Sequence, residues 1–238
     1  MFTGRINGVG DYSITPLNLG GLTVPAGTPM GGRSLVVQAF LVAHPGGTLL
    51  FDTGLGDQSA KFDHVLAPIT RRPLEEALAA AGRKVGDVAA VVNCHLHYDH
   101  CGGNPTFPGV AIYVQARDYG VRKGMNFCIP ERVDFPGADL RVLDGEAAIM
   151  RGMRAVPTPG HTPGHQSLVI DDRDGPVILA GQAAYTAVEF ADPEDEPARG
   201  FRTAWDSDAF LRSISVLKAI KPRRVYFAHD EEYWEAAG

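Results

Sequence analysis

The chain has 238 residues, 45% of them apolar, and a formal net charge of −6 at pH 7; that size suits one large domain or two small ones with ample core. The acidic balance, without a basic cluster, argues against nucleic acid as a partner, and no apolar run approaches the roughly 20 residues of a membrane span. Cys94, Cys101 and Cys128 cannot all pair, and Met1-Phe2-Thr3-Gly4-Arg5 lacks the charged-then-apolar layout of a signal peptide, so a cytoplasmic location is expected.

Ser34–Ala43 and Thr48–Phe51 read as the strands of a β-hairpin with a slightly long loop at Pro45-Gly46-Gly47. A helix is predicted over Arg72–Ala81, where Pro73 stands early, Leu74, Ala77, Leu78 and Ala81 keep helical spacing, and Gly82 is the stop. Val88–Val92 and Val110–Val114 read as strands, and Ala116–Arg122 as a short helix. Asn126–Ala138 contains Pro130, Pro136 and Gly137 and reads as irregular. Short strands follow around Arg141–Leu143, Met153–Val156, Gln166–Ile170 and Val177–Ala180. Asp192–Gly200 is acidic and Pro-rich, a surface loop near the site. Asp206 or Ser207 can cap a helix over Asp208–Ile220, whose Phe210, Leu211, Ile214, Leu217 and Ile220 form one apolar stripe, and Arg224–Phe227 is a last strand. Strand runs in both halves, each followed by helices, predict an α/β chain with two β-sheets packed between helices, without implying a strand order.

His95-Leu96-His97-Tyr98-Asp99-His100 follows the strand Val88–Val92 directly. In an extended segment His95 and His97 share a face; beyond the turn, Asp99 and His100 face a second point. Neutral imidazole and carboxylate suit borderline divalent ions, so the motif reads as two adjacent metal half-sites. A catalytic ion there would bring the pKa of its bound water to about 7. A lone HxH is more often a solvated loop, but other histidines count against that reading. Thr158–Ser167 is a Gly/Pro-shaped loop carrying His161 and His165, Asp52-Thr53-Gly54 ends the hairpin strand, and His229-Asp230 follows the last strand. Each stands at the C-terminal end of a predicted strand, where one rim could gather them all. Cys94, of opposite parity to His95 and His97, is expected to point away from them as a small buried thiol.

Phe51-Asp52-Thr53-Gly54, His95–His100 with Gly102-Gly103, Pro159–Ser167, Ala183-Ala184-Tyr185-Thr186 and Phe227-Ala228-His229-Asp230 occur in that order. With these motifs the chain resembles, over nearly its whole length, the metallo-β-lactamase fold superfamily, and within it the small N-acyl homoserine lactonases of quorum quenching. The resemblance implies an αββα sandwich of two mixed β-sheets flanked by helices, as a single domain over 1–238. Position by position, it implies His95, His97 and His161 as ligands of a first metal, and Asp99, His100 and His229 as ligands of a second. Zinc is the implied ion, with iron or manganese as alternatives. Asp52 becomes the buried carboxylate behind the metal loop, His165 stands beside the site, and Tyr185 points its hydroxyl at the substrate. Cys101 lies where the family usually has a small residue and reads as a second buried thiol. His44 and His64 match no motif and read as surface residues, His64 where a substrate-facing loop would be.

Lactonases of this type carry a metal-bridging aspartate where this chain has Gln182, a neutral residue with a weak oxygen donor. One negative charge is thereby missing from the pair of half-sites, so one or two ions are expected, the second position the weaker, with Gln182 as a candidate bridging or substrate-contacting residue. The implied activity is hydrolysis of a small-molecule lactone, acyl homoserine lactone-like, or a related cyclic ester, by attack of a metal-bound hydroxide. Tyr185 would stabilise the oxyanion and Asp99 would relay a proton. The alternatives are a β-lactamase-type amide hydrolase lacking the bridging carboxylate, a mononuclear iron oxygenase, and a catalytically impaired metal- or ligand-binding relative. Gln58–Thr70 and Asn126–Ala138 are the loops expected to shape an acyl-chain pocket.

Overall fold

Two β-sheets lie face to face with helices against both outer sides. The computed structural model describes residues 5–7, 11–59, 61–194 and 203–236. The first half runs β1 (Arg5–Asn7), β2 (Asp11–Thr23), β3 (Ser34–His44), β4 (Gly47–Phe51), β5 (Thr70–Arg71), α1 (Leu74–Ala80), β6 (Val88–Val92), α2 (Tyr98–Cys101), β7 (Ala111–Gln115), α3 (Ala116–Val121), α4 (Pro130–Val133) and β8 (Asp139–Leu143). The second runs β9 (Ala147–Met150), β10 (Met153–Pro157), β11 (Gln166–Ile170), β12 (Val177–Leu179), α5 (Ala187–Ala191), α6 (Ser207–Ala219), β13 (Arg224–Tyr226) and β14 (Tyr233–Glu235). The first sheet has the order β1-β2-β3-β4-β6-β7-β8, with β5 on β2; the second has the order β14-β13-β12-β11-β10-β9. Both sheets are mixed: β4, β6, β7 and β8 run parallel in the first, and β12 and β13 in the second.

Strand alternation builds the layers. Leu49 and Phe51 of β4, Val92 of β6, Leu168 and Ile170 of β11 and Leu179 of β12 are fully buried between the sheets. Leu50 and Val91 face the other way, onto Leu74, Ala77 and Leu78 of α1. Val169, Ile178 and Val225 likewise leave the second sheet to meet Phe210, Ile214 and Leu217 of α6. Each such side chain contributes roughly 1.5–3 kcal/mol on burial, which makes the αββα layering the direct product of the period-two pattern.

Several expected elements are redrawn. The hairpin is tighter than expected, because β3 and β4 pair out to His44 with Gly47 and leave Pro45-Gly46 as the turn. Helix α1 starts at Leu74, after an extended Pro73, and Gly82 stops it at φ +71°, with Gly82 N–H donating to Ala79 O and Arg83 N–H to Leu78 O. Strand β2 escaped the sequence reading because Pro16, Asn18, Gly20 and Gly21 interrupt it and its register slips between Asn18 and Gly21, so the apolar alternation breaks. The stretch read as irregular contains α4, with Pro130 in its first turn. Asp206 caps α6 by accepting the Ala209 N–H at 2.9 Å. Residues 195–200 of the acidic loop lie outside the described residues. Among the described residues no helix is long and apolar enough to cross a membrane.

Candidate metal centre

The strand-end segments meet at one rim. Asp52 follows β4, His95–His100 follow β6, His161 follows β10, Gln182 follows β12 and His229 follows β13. Beneath them sits Asp52, fully buried and held at φ +65°, a left-handed conformation that side chains with a Cβ seldom adopt. Its Oδ1 accepts the Cys94 N–H at 2.8 Å, and its Oδ2 accepts the Cys94 S–H at 3.0 Å and His100 Nδ1–H at 2.9 Å. With the thiol proton committed to Asp52, the Cys94 sulfur is left to accept His95 Nδ1–H at 3.1 Å. The expectation that Cys94 points away from the histidines is therefore corrected. Strand β6 ends at Val92, so the two-residue parity no longer governs position 94.

The same accounting aims the remaining imidazole nitrogens. His229 Nδ1–H donates to Val36 O at 2.7 Å, which directs its Nε2 inward. His95 Nε2, His100 Nε2 and His229 Nε2 are buried with no hydrogen-bond partner. Ligand atoms of His95, His97 and His161 converge within 4.8 Å of one another, as do those of Asp99, His100 and His229. Asp99 Oδ2 lies 3.4 Å from His100 Nε2 and 3.6 Å from His229 Nε2. Tetrahedral ligands at ~2.0–2.1 Å from a zinc-like ion stand about 3.4 Å apart, so the spacing fits a divalent cation.

At four of the five candidate ligand histidines, electrostatics favour that occupant over protons. Burial, reinforced by neighbouring imidazoles, holds His95 and His161 well below the ordinary imidazole range and brings His97 and His229 down to about 4. These rings keep lone pairs at neutral pH. Burial opposes ionisation of Asp99, but His100, His229 and His97 outweigh it and hold the carboxyl well below the usual range. Burial likewise opposes charge on His100, where the Asp99 and Asp52 carboxylates prevail and push its pKa up.

His165 stands beside the centre with both nitrogens engaged. Its Nε2 accepts the Gln182 N–H at 2.9 Å, so Nδ1 carries the proton and donates to Thr158 Oγ1 at 2.9 Å. Burial brings its pKa down to about 3. Gly181 makes this approach feasible: at φ +61°, an added Cβ would fall 2.5 Å from Cys94 Cβ and 3.0 Å from His165 Nε2. Tyr185 is buried with its hydroxyl 3.4 Å from His161 Nδ1 and 3.0 Å from Thr203 Oγ1. Sequence reasoning missed Asp118, whose carboxylate accepts Thr162 Oγ1–H at 2.7 Å and Gly164 N–H at 2.6 Å and so straps the His161 loop to α3. A lone aspartate in a short helix carries no spacing signal that could have marked it.

Above the centre opens a cavity of about 980 Å³ whose floor includes His97, Asp99, His161, Gln182, Tyr185 and His229. Its walls are largely apolar, with Leu22, Val24, Met30 and Leu35 from the β2–β3 connection and its flanks, Phe127, and Trp205. The loops expected to form this wall contribute only in part, through Leu66, Asn126 and Phe127. His64 is exposed and does not line the cavity, and His44 is half-buried, accepting the Gly46 N–H at 2.9 Å. Cys101 is a fully buried thiol in the core beneath α1, as expected.

Comparison with known proteins agrees with this architecture. Residues 32–229 match the metallo-beta-lactamase superfamily. An N-acyl homoserine lactonase of a Bacillus species is 31% identical over 220 residues, 86% of this chain and 85% of the relative, and that of Bacillus cereus is 30% identical over the same shares. A structure of B. thuringiensis AiiA with N-decanoyl-L-homoserine at its active site superposes with a TM-score of 0.77 at 25% identity, covering 92% of this chain and 93% of that one. An N-acyl homoserine lactone hydrolase with the product N-hexanoyl-L-homoserine at its catalytic metal centre gives 0.74 at 27% identity over the same shares. The chain belongs to the metallo-beta-lactamase superfamily, with N-acyl homoserine lactonases among its relatives.

Proposed function

We propose that this protein is a metal-dependent hydrolase that opens the ring of a lactone carrying an apolar acyl tail, of the acyl homoserine lactone kind. The observation that carries this reading is the pair of convergent ligand sets, His95/His97/His161 and Asp99/His100/His229, on the floor of a largely apolar cavity that Tyr185 also faces. Relatives that are N-acyl homoserine lactonases support it. Zinc suits an imidazole-rich site with one carboxylate, with iron or manganese as second choices. Bound there, one or two divalent ions would polarise the scissile carbonyl and supply hydroxide near neutral pH.

The chain's own groups do the remaining work. Asp52 and Cys94 hold the rings of His95 and His100. Burial pushes the Tyr185 phenol well above its ordinary range, so it stays protonated. Its oxygen accepts His161 Nδ1–H, and its own proton is available to a substrate oxygen as negative charge develops there. Asp99, ionised, within 3.6 Å of His100 Nε2 and His229 Nε2 and on the cavity floor, is placed to take a proton and pass it to the leaving alkoxide. The apolar walls hold the acyl tail and keep bulk water from the ring.

A pH-indicator assay on a lactone panel, with lactams beside it and protein of known metal content, tests the reading. Acid release from lactones alone is the expected result. Hydrolysis of lactams alone would move the protein to amide hydrolysis, and silence on every substrate at full metal occupancy would make it a ligand-binding relative.

A further inference from the structure

Of the seven buried side-chain polar atoms that lack a hydrogen-bond partner among the described residues, four belong to the candidate metal centre: His95 Nε2, His100 Nε2, His229 Nε2 and the Gln182 amide oxygen. An orphaned buried acceptor is costly, which argues for something electropositive meeting it. Gln182 is only 4% exposed and lies on the cavity floor with His97, Asp99, His161 and His229. The one cationic side chain lining that cavity among the described residues, Arg117, is solvent-exposed. The backbone that carries this side chain is fixed. Gln182 N–H is bound to His165 Nε2 at 2.9 Å, and Gly181 is packed against Cys94.

We infer that the Gln182 amide oxygen is itself a ligand of this metal centre, a neutral one, and that the centre consequently holds two divalent ions with unequal strength. The inference rests on the proposed reading that the two histidine-rich sets bind metal. Of the two ligand sets and Gln182, Asp99 is the one anionic side chain offered to two divalent cations, because the Asp52 carboxylate is engaged by Cys94 and His100 behind them. A neutral amide oxygen fills a coordination position without offsetting the repulsion between the ions, so the second ion binds against uncompensated charge.

The test loads the full chain with zinc or cobalt(II), dialyses it against graded chelator, and measures metal per chain together with the cobalt absorption spectrum. The wild type is expected to lose one ion at a chelator concentration ~10-fold or more below that needed for the other. Gln182→Asp should tighten the weaker step by a similar factor and bring the two steps together. Gln182→Leu should loosen the weaker step further and change the cobalt spectrum, with the metal-free melting temperature little changed. If Gln182→Leu does not fold, Gln182→Ala, which removes the amide oxygen without adding bulk, carries the same expectation. Loss of both ions in one step from the wild type, or a Leu variant with wild-type retention and spectrum, overturns the inference. Two unequal ions without lactone hydrolysis would support it while removing the proposed function, and failure to bind any ion would remove both.

Discussion

The Cys94 sulfur lies 3.1 Å from His95 Nδ1, and its own proton goes to Asp52 Oδ2 at 3.0 Å. Because Asp52 also takes His100 Nδ1–H at 2.9 Å, one buried carboxylate orients an imidazole from each ligand set. Burial pushes the Cys94 thiol far above its ordinary range, so it serves as a neutral relay and not as a thiolate ligand. Asp52→Ala should therefore weaken both metal-binding steps, by ~10–100-fold. Cys94→Ala should weaken only the step that depends on His95. Competition with a chromogenic chelator measures both. Equal losses in the two variants would show that Cys94 acts through general packing and not through His95.

Tyr185→Phe removes a hydroxyl that touches His161 and Thr203 at the cavity floor. If that hydroxyl stabilises charge only as the ring opens, kcat should fall by ~10²-fold with KM nearly unchanged. Metal content should stay as in the wild type. A rise in KM with kcat preserved would instead assign Tyr185 to ground-state binding.

How much of this was legible in the sequence follows from where each signal sits. Leu49–Phe51, Val91–Val92 and Leu168–Ile170 keep the two-residue period, so the layered sheets could be anticipated. The metal-binding candidates stand in short motifs directly after strands, where spacing alone raises suspicion. Strand β2 was not legible because its bulge between Asn18 and Gly21 breaks the period. The direction of Cys94 is not legible from alternation because β6 ends at Val92, two residues before it. The cavity wall at Leu22, Val24, Met30 and Leu35 comes from the ends and connection of a hairpin, and its apolar residues have no register until the chain is folded.

Asp118 ties stability to pH. Burial raises its pKa to about 6, against the pull of the hydrogen bonds from Thr162, Gly164 and Leu96. A raised carboxyl pKa means that the folded state holds the proton over a window in which the unfolded chain has lost it. The favourable contribution is therefore complete below about pH 4 and declines as pH rises to about 6. Asp118→Asn has no such dependence, but it places an amide N–H₂ opposite donors from Thr162 or Gly164. Urea midpoints of metal-free protein should show the wild type ahead of the variant at pH 4.5, with the margin shrinking by pH 7.5. A margin that grows with pH would refute this assignment.

The apolar cavity makes a graded prediction about substrate tails. Each methylene moved from water into it contributes ~0.8 kcal/mol, or roughly fourfold in kcat/KM, until the walls are filled. Lactones with successively longer acyl chains should follow that slope and then level off. Val24 and Met30 line the wall and are not among the metal-binding candidates. Val24→Trp or Met30→Trp should therefore lower kcat/KM for long tails and leave short ones near the wild-type value, with metal content constant. A flat response to tail length in the wild type would mean that the acyl chain does not enter this cavity. An equal loss for short and long tails in the variants would mean that the added ring had disturbed the metal centre instead.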